Sequence, residues 1–110
     1  MSAPTGFLLH PASPLHDTGW RHPEHQGRLR ALASTVGKDL LTLHGYVEQM
    51  QAEEASMEDL RRVHTEYQVG QVRDRCRSAE HTQQIVAIDS DTRVSAASWE
   101  AAVGSAGAAI

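Results

Sequence analysis

Three of the chain's seven histidines, His16, His22 and His25, fall within ten positions in "HDTGWRHPEHQGRLRAL", residues 16–32. Imidazole suits zinc, and a catalytic zinc site uses three protein ligands and leaves one position open. The spacing does not support such a site. The helical H-E-x-x-H arrangement puts two ligands one turn apart, but Pro23 lies inside "HPEH" and precludes a regular helix there. "HPE" also matches the H-x-E half of the zinc deaminase signature, yet its P-C-x-x-C partner is missing. These histidines therefore read as loop residues that hydrogen-bond to backbone and shape the entry to a helix. A His-rich metal-binding protein is the competing reading.

Nucleophilic chemistry finds little support. There is no G-x-S-x-G elbow. Cys76 sits in a polar helical stretch and reads as a half-buried helix residue. His64, in "LRRVHTEY", lies beside a Leu60–Val63–Tyr67 face and reads as a packed helix residue. His10, His44 and His81 belong to no constellation. Gly104 and Gly107 form no phosphate loop, because no strand directly precedes them and no Lys follows. "AIDSDTRVS" is more informative. Asp89 and Asp91 directly follow a short β-branched run, and ligands of α/β sheets gather at the carboxyl ends of strands. Two carboxylates there can accept hydrogen bonds from a substrate amide. They can equally form an Asx-turn, or a helix-entry cap through Asp91 and Thr92. The residues alone leave the two readings even.

The elements that must carry these residues follow from pattern. Residues 6–10, "GFLLH", are an apolar run between Pro4 and Pro11 and predict a strand. Residues 11–27 predict a loop. Leu29, Leu32, Val36 and Leu40 recur at helical spacing and predict a helix over 27–42. Residues 45–55 read as extended, with Val47 and Met50 as apolar members. Ser56 and Asp59 resemble a capping box. Leu60 to Cys76 then predicts one helix broken near His64, or two in succession. The polar stretch 73–83 reads as loop. Residues 85–88 read as a strand and 89–92 as a turn, with Ser95 as N-cap of a last helix. In that helix Ala101, Gly104, Ser105 and Ala108 form a face of small residues, suited to very close packing against another element.

Length bounds what these elements can build. The 110 residues suffice for one small domain with a thin stability margin. Large core-filling side chains are scarce: one Phe, two Trp and two Tyr. The net charge of −4, with acids and bases interspersed, argues against a nucleic-acid footprint. The single cysteine excludes an internal disulfide and a multi-Cys zinc site. No apolar run approaches the roughly 20 residues of a membrane span. The N-terminus lacks the basic and apolar regions of a signal peptide. The expectation is a cytoplasmic protein with neither membrane nor nucleic-acid partner.

Three separated stretches together carry a resemblance. "HDTGWRHPEHQGRL" resembles the H-P-E-x-P-x-R-L loop and helix start of histone deacetylases and their relatives, the acetylpolyamine amidohydrolases and acetoin-utilisation proteins. "LRRVHTEY" resembles their L-x-x-V-H-x-x-Y, and "DSDTRVSAASWEAAVGSAGAAI" their D-x-D-T-x-x-S-x-x-S-x-E-A-A segment. Gln26 and Ala96 depart from the pattern, each standing where proline is common. The match covers about residues 7–110. It implies an α/β, three-layer arginase/deacetylase-like fold with a mainly parallel sheet. It also implies a zinc-dependent hydrolase acting on acetyl-lysine proteins or acetylpolyamines. By the same resemblance, Asp91 matches the rim aspartate that holds substrate backbone amides, and Arg28 the arginine beneath the active site near its internal channel. His16, His22 and His25 match scaffold.

The zinc ligands, paired histidines and catalytic tyrosine of that family have no counterpart here, so the chain supplies no catalytic and no metal residue. Residues 1–110 are then expected to be the N-terminal portion of one catalytic domain, cut within a helix. Alone, such a portion would be inactive and poorly stable, lacking its C-terminal remainder. A small α-helical interaction module is a further alternative.

Overall fold

The computed structural model describes residues 3–110. Strand β1 (Thr5–Phe7) pairs in parallel with β2 (Val47–Gln49), in the register Thr5↔Val47, Gly6↔Glu48 and Phe7↔Gln49. Parallel neighbours need a long crossover, and helix α1 (Gly27–Asp39) supplies it. The result is a β-α-β unit, as expected for an α/β chain. Strand β1 is shorter than the apolar run suggested and is displaced toward the N-terminus. After Met50 N–H donates to the Phe7 carbonyl at 2.9 Å, the chain leaves the ladder. Leu8, Leu9 and His10 line a groove beside residues 49–52 instead.

Helix α1 carries the predicted apolar row, but the row is not covered. No residue of α1 is buried, and Leu32 is 47% exposed. The helix stops at Asp39 and continues as turns rather than reaching residue 42.

The capping box is present in full. Asp59 N–H donates to Ser56 Oγ at 3.1 Å, and Ser56 N–H to Asp59 Oδ2 at 3.0 Å. It starts the short helix α2 (Met57–Arg61), and the chain then breaks at His64. Thr65 caps α3 (Glu66–Thr82) by accepting from Gln68 N–H at 3.1 Å. Two successive helices are thus correct, whereas the reading of 73–83 as loop is not. Val69, Cys76 and Ala79 form a buried stripe at helical spacing, and the polar residues around them occupy the solvent face. Polarity marked exposure there, not irregular backbone. Val63 and Tyr67, expected to pack, stay exposed.

Strands β3 (Val86–Ala87) and β4 (Arg93–Val94) form an antiparallel hairpin, separate from β1–β2 among the described residues. Helix α4 (Ser98–Ala109) follows. Its N-cap is Ala97, not Ser95, because the Ser95 hydroxyl is engaged elsewhere, accepting from Asp17 N–H at 2.9 Å. The small-residue face does what its composition suggested. A Cβ on Gly104 would overlap the His10 ring, and one on Gly107 would overlap the Glu53 carbonyl oxygen. Ser105 Oγ lies 3.1 Å from Ser13 Oγ, in the single 3-10 turn Ser13–Leu15. Ala55 N–H reaches the Val103 carbonyl at 2.9 Å.

The interior these contacts enclose is thin. Its apolar members are Ala12, Val69, Cys76, Ala79, Val94, Ala101 and Val103, and among the described residues no large side chain is fully buried. The accessible surface is 7950 Å², against about 6,000 Å² for a compact folded chain of 12.0 kDa. The radius of gyration is 15.8 Å, where about 13 Å is usual for this length. Both values describe an open arrangement with an incomplete core.

Candidate functional site

The β3–β4 turn settles which aspartate does structural work. Asp89 Oδ1 accepts from Asp91 N–H and from Thr92 N–H, each at 2.8 Å. This is an Asx-turn built on Asp89, and these bonds hold its carboxyl below the usual carboxylate range. Asp91 is thereby relieved of turn duty. Its carboxylate is exposed and makes no hydrogen bond or ion pair among the described residues.

The histidine loop packs against that turn. His22 Nδ1 accepts from Glu24 N–H at 3.0 Å, which places the ring hydrogen on Nε2. That hydrogen points to the Asp91 carbonyl at 2.7 Å. The two segments enclose a groove of about 460 Å³, lined by Trp20, Arg21, His22 and Pro23 on one side and by Ser90, Asp91 and Arg93 on the other. Asp91 thus stands as an acceptor at the lip of a groove that also carries two guanidinium groups. Trp20, Arg21 and Arg93 were not singled out from the sequence. Only the docking of two segments some 70 residues apart makes Trp20 and Arg21 neighbours of Asp91.

The remaining loop histidines are bound internally. His25 Nδ1 accepts from Gly27 N–H at 3.1 Å, at the first residue of α1, and its ring centroid lies 5.3 Å from that of Trp20. His16 Nδ1 lies 2.6 Å from Ser98 Oγ, and Ser98 Oγ already accepts from Ser95 N–H at 2.7 Å. That oxygen keeps a second lone pair beside its hydroxyl hydrogen, so either partner can donate across the His16–Ser98 bond. Burial lowers the His16 pKa, Asp17 opposes that shift, and His22 adds to it. His22 and His25 offer no spare lone pair to a metal in this arrangement.

Arg28 lies on the first turn of α1. Its guanidinium pairs with Glu24 Oε2 at 2.7 Å, at the surface, 54% exposed. It does not reach Asp91's groove. Cys76 is buried, and burial pushes its thiol pKa up, which suits packing and not nucleophilic attack.

Among the described residues one group offers three metal-ligand atoms within 4.8 Å of one another: His10, Glu54 and Glu100. Sequence spacing gave no sign of it. It does not fit a catalytic zinc. His10 Nδ1 accepts from Ala12 N–H at 3.1 Å, so the hydrogen resides on Nε2, the atom that faces Glu54 at 3.4 Å. A ligating histidine needs the opposite tautomer, with its second nitrogen donating. The cluster lies where the residue 53–55 segment meets α4.

A parallel β-α-β start, a histidine loop bonded to backbone and an aspartate-tipped hairpin define an α/β chain. Residues 22–110 match the model of the histone deacetylase domain, and the chain belongs to that family. Among solved structures it is similar to the crystal structure of the HDA15 HD domain, at 25% identity and a TM-score of 0.68. The match covers 96% of this chain and 30% of that one, so the 110 residues span less than a third of the matched structure. The likeness agrees with the expected deacetylase-like fold. No curated protein matches the sequence.

Proposed function

We propose that these residues form the opening portion of the catalytic domain of a zinc-dependent amidohydrolase, which removes acetyl groups from acetyl-lysine proteins or acetylpolyamines. Family membership supports the reaction class. The observation that carries the residue-level reading is the unencumbered Asp91 carboxylate at the lip of the groove. A carboxylate accepts several hydrogen bonds. With Asp89 bracing the turn and His22 holding the Asp91 carbonyl, Asp91 can receive backbone N–H groups of an extended substrate without losing an internal bond. Arg28 takes the role of channel support in the complete domain, where a five-donor guanidinium serves buried carbonyls or a departing acetate.

Zinc, held by residues outside these 110, supplies carbonyl polarisation and an activated water. The present chain contributes substrate placement and scaffold, and alone it is inactive. The enzyme acts in the cytoplasm, with neither nucleic acid nor membrane as partner.

Titrating the protein with an acetyl-lysine peptide, followed by amide NMR, tests this reading. Shifts are expected at residues 18–23 and 90–93 and should vanish in Asp91→Ala, with no turnover at any zinc concentration. Zinc-dependent deacetylation by the purified chain would refute the predicted inactivity. Peptide shifts confined to other regions would remove Asp91 from the site.

A further inference from the structure

We infer that residues 22–27 form a proton-sensitive clasp, closed where the His22 and His25 imidazoles accept backbone N–H groups and opened when those rings gain a proton on Nδ1. Its basis is one repeated geometry. His22 Nδ1 accepts from Glu24 N–H and His25 Nδ1 from Gly27 N–H, each two residues ahead. A backbone N–H can only donate, so these nitrogens must carry a free lone pair. Protonation puts a hydrogen on each Nδ1 and sets donor against donor at both backbone sites. His16 lies outside the clasp: its Nδ1 meets Ser98 Oγ at 2.6 Å, and a hydroxyl that accepts from Ser95 N–H keeps a second lone pair for a charged ring.

The surrounding charges are mixed. Asp17 beside His16 attracts an imidazolium, while His16 and His22 repel each other once charged. His22 shares its groove with Arg21 and Arg93 as well as Asp91. His25 faces the Trp20 ring. Beside it, the Glu24 carboxylate is already paired with Arg28. His10 is built the other way. It also accepts from a backbone N–H, that of Ala12, but Glu54 and Glu100 face its ring, and it is excluded from the clasp. The direction follows from the donors: an Nδ1 that accepts a backbone N–H holds the loop only while that nitrogen carries no hydrogen, so the contribution is lost as the ring takes one up. Residues 18–23 wall the groove beside Asp91, so the clasp controls the groove's shape.

The test is hydrogen exchange of the Glu24 and Gly27 amides between about pH 7.5 and 5.5, with the histidine rings titrated in parallel by NMR. Protection should fall about tenfold for each pH unit below the ring midpoint, while the amides of α3 stay protected. In the His22→Asn/His25→Asn variant the fall should disappear. Asparagine Oδ1 can accept two residues ahead without titrating, as the Asp17 carboxylate does for Gly19 N–H at 2.9 Å. Should the double variant not fold, His25→Asn alone is read at Gly27, with Glu24 as the internal reference. Protection that persists with the rings protonated would overturn the clasp. So would the same loss in the asparagine variant, or simultaneous loss throughout α3.

Discussion

Replacing Gly107 with alanine probes the seat of α4 directly. Two effects oppose. In a helix interior alanine is favoured over glycine by about 0.8–1.0 kcal/mol. Here, however, the added Cβ would penetrate the Glu53 carbonyl oxygen and stand 2.9 Å from Ala55 N, both of them backbone atoms. No side chain can rotate away, so the residue 53–55 segment must shift. Such overpacking costs about 1–3 kcal/mol. The shift also strains the Ala55 N–H to Val103 carbonyl bond, worth about 0.5–1.5 kcal/mol. The balance is a net loss of about 1–3 kcal/mol, which for a chain of this size lowers Tm by roughly 10 °C. The matched control is Gly37→Ala in α1, where a Cβ meets nothing within 4 Å. It should gain up to about 1 kcal/mol. Urea unfolding followed by the fluorescence of Trp20 and Trp99 measures both. If Gly107→Ala proves as stable as the parent while Gly37→Ala gains, α4 does not rest on the residue 53–55 backbone and the packing argued above is wrong.

Three further outcomes are expected. Ser56→Ala removes one half of the capping box and should destabilise by about 1 kcal/mol, seen as lost amide protection at Asp59. Asp89→Asn tests the Asx-turn. The carboxyl's depressed pKa means its contribution is present above the unfolded value and lost as pH falls through the folded one, so the parent turn should loosen in acid while the asparagine turn, read at the Asp91 and Thr92 amides, should not. Cys76 should react with iodoacetamide at neutral pH far more slowly in the folded chain than in urea, because it is buried and its thiol pKa is raised; equal rates would place it at the surface.

Much of this architecture was legible in the residues. The Ser56–Asp59 cap and the break near His64 are short-range effects: each depends on side chains within four residues of the backbone they serve, so spacing reveals them. The small face of α4 was equally plain, because only glycine, alanine and serine permit backbone approach that close. Pro23 excluded a helical metal motif, and His22 and His25 do bond to backbone, whereas His16 meets the Ser98 hydroxyl. Residues 73–83 misled because a helix with a narrow buried stripe looks uniformly polar when only its charged side chains are counted.

By itself, then, the sequence determined what local chemistry can determine: the Ser56–Asp59 cap, the small-residue face of α4 and the motifs of the histone deacetylase domain. Tertiary structure decided the rest. It brought Trp20, Arg21 and His22 against Asp91 across some 70 residues, and it set His10 between Glu54 and Glu100. Those pairings depend on how separate segments dock, and no spacing along the chain encodes a distance between segments that meet only after folding.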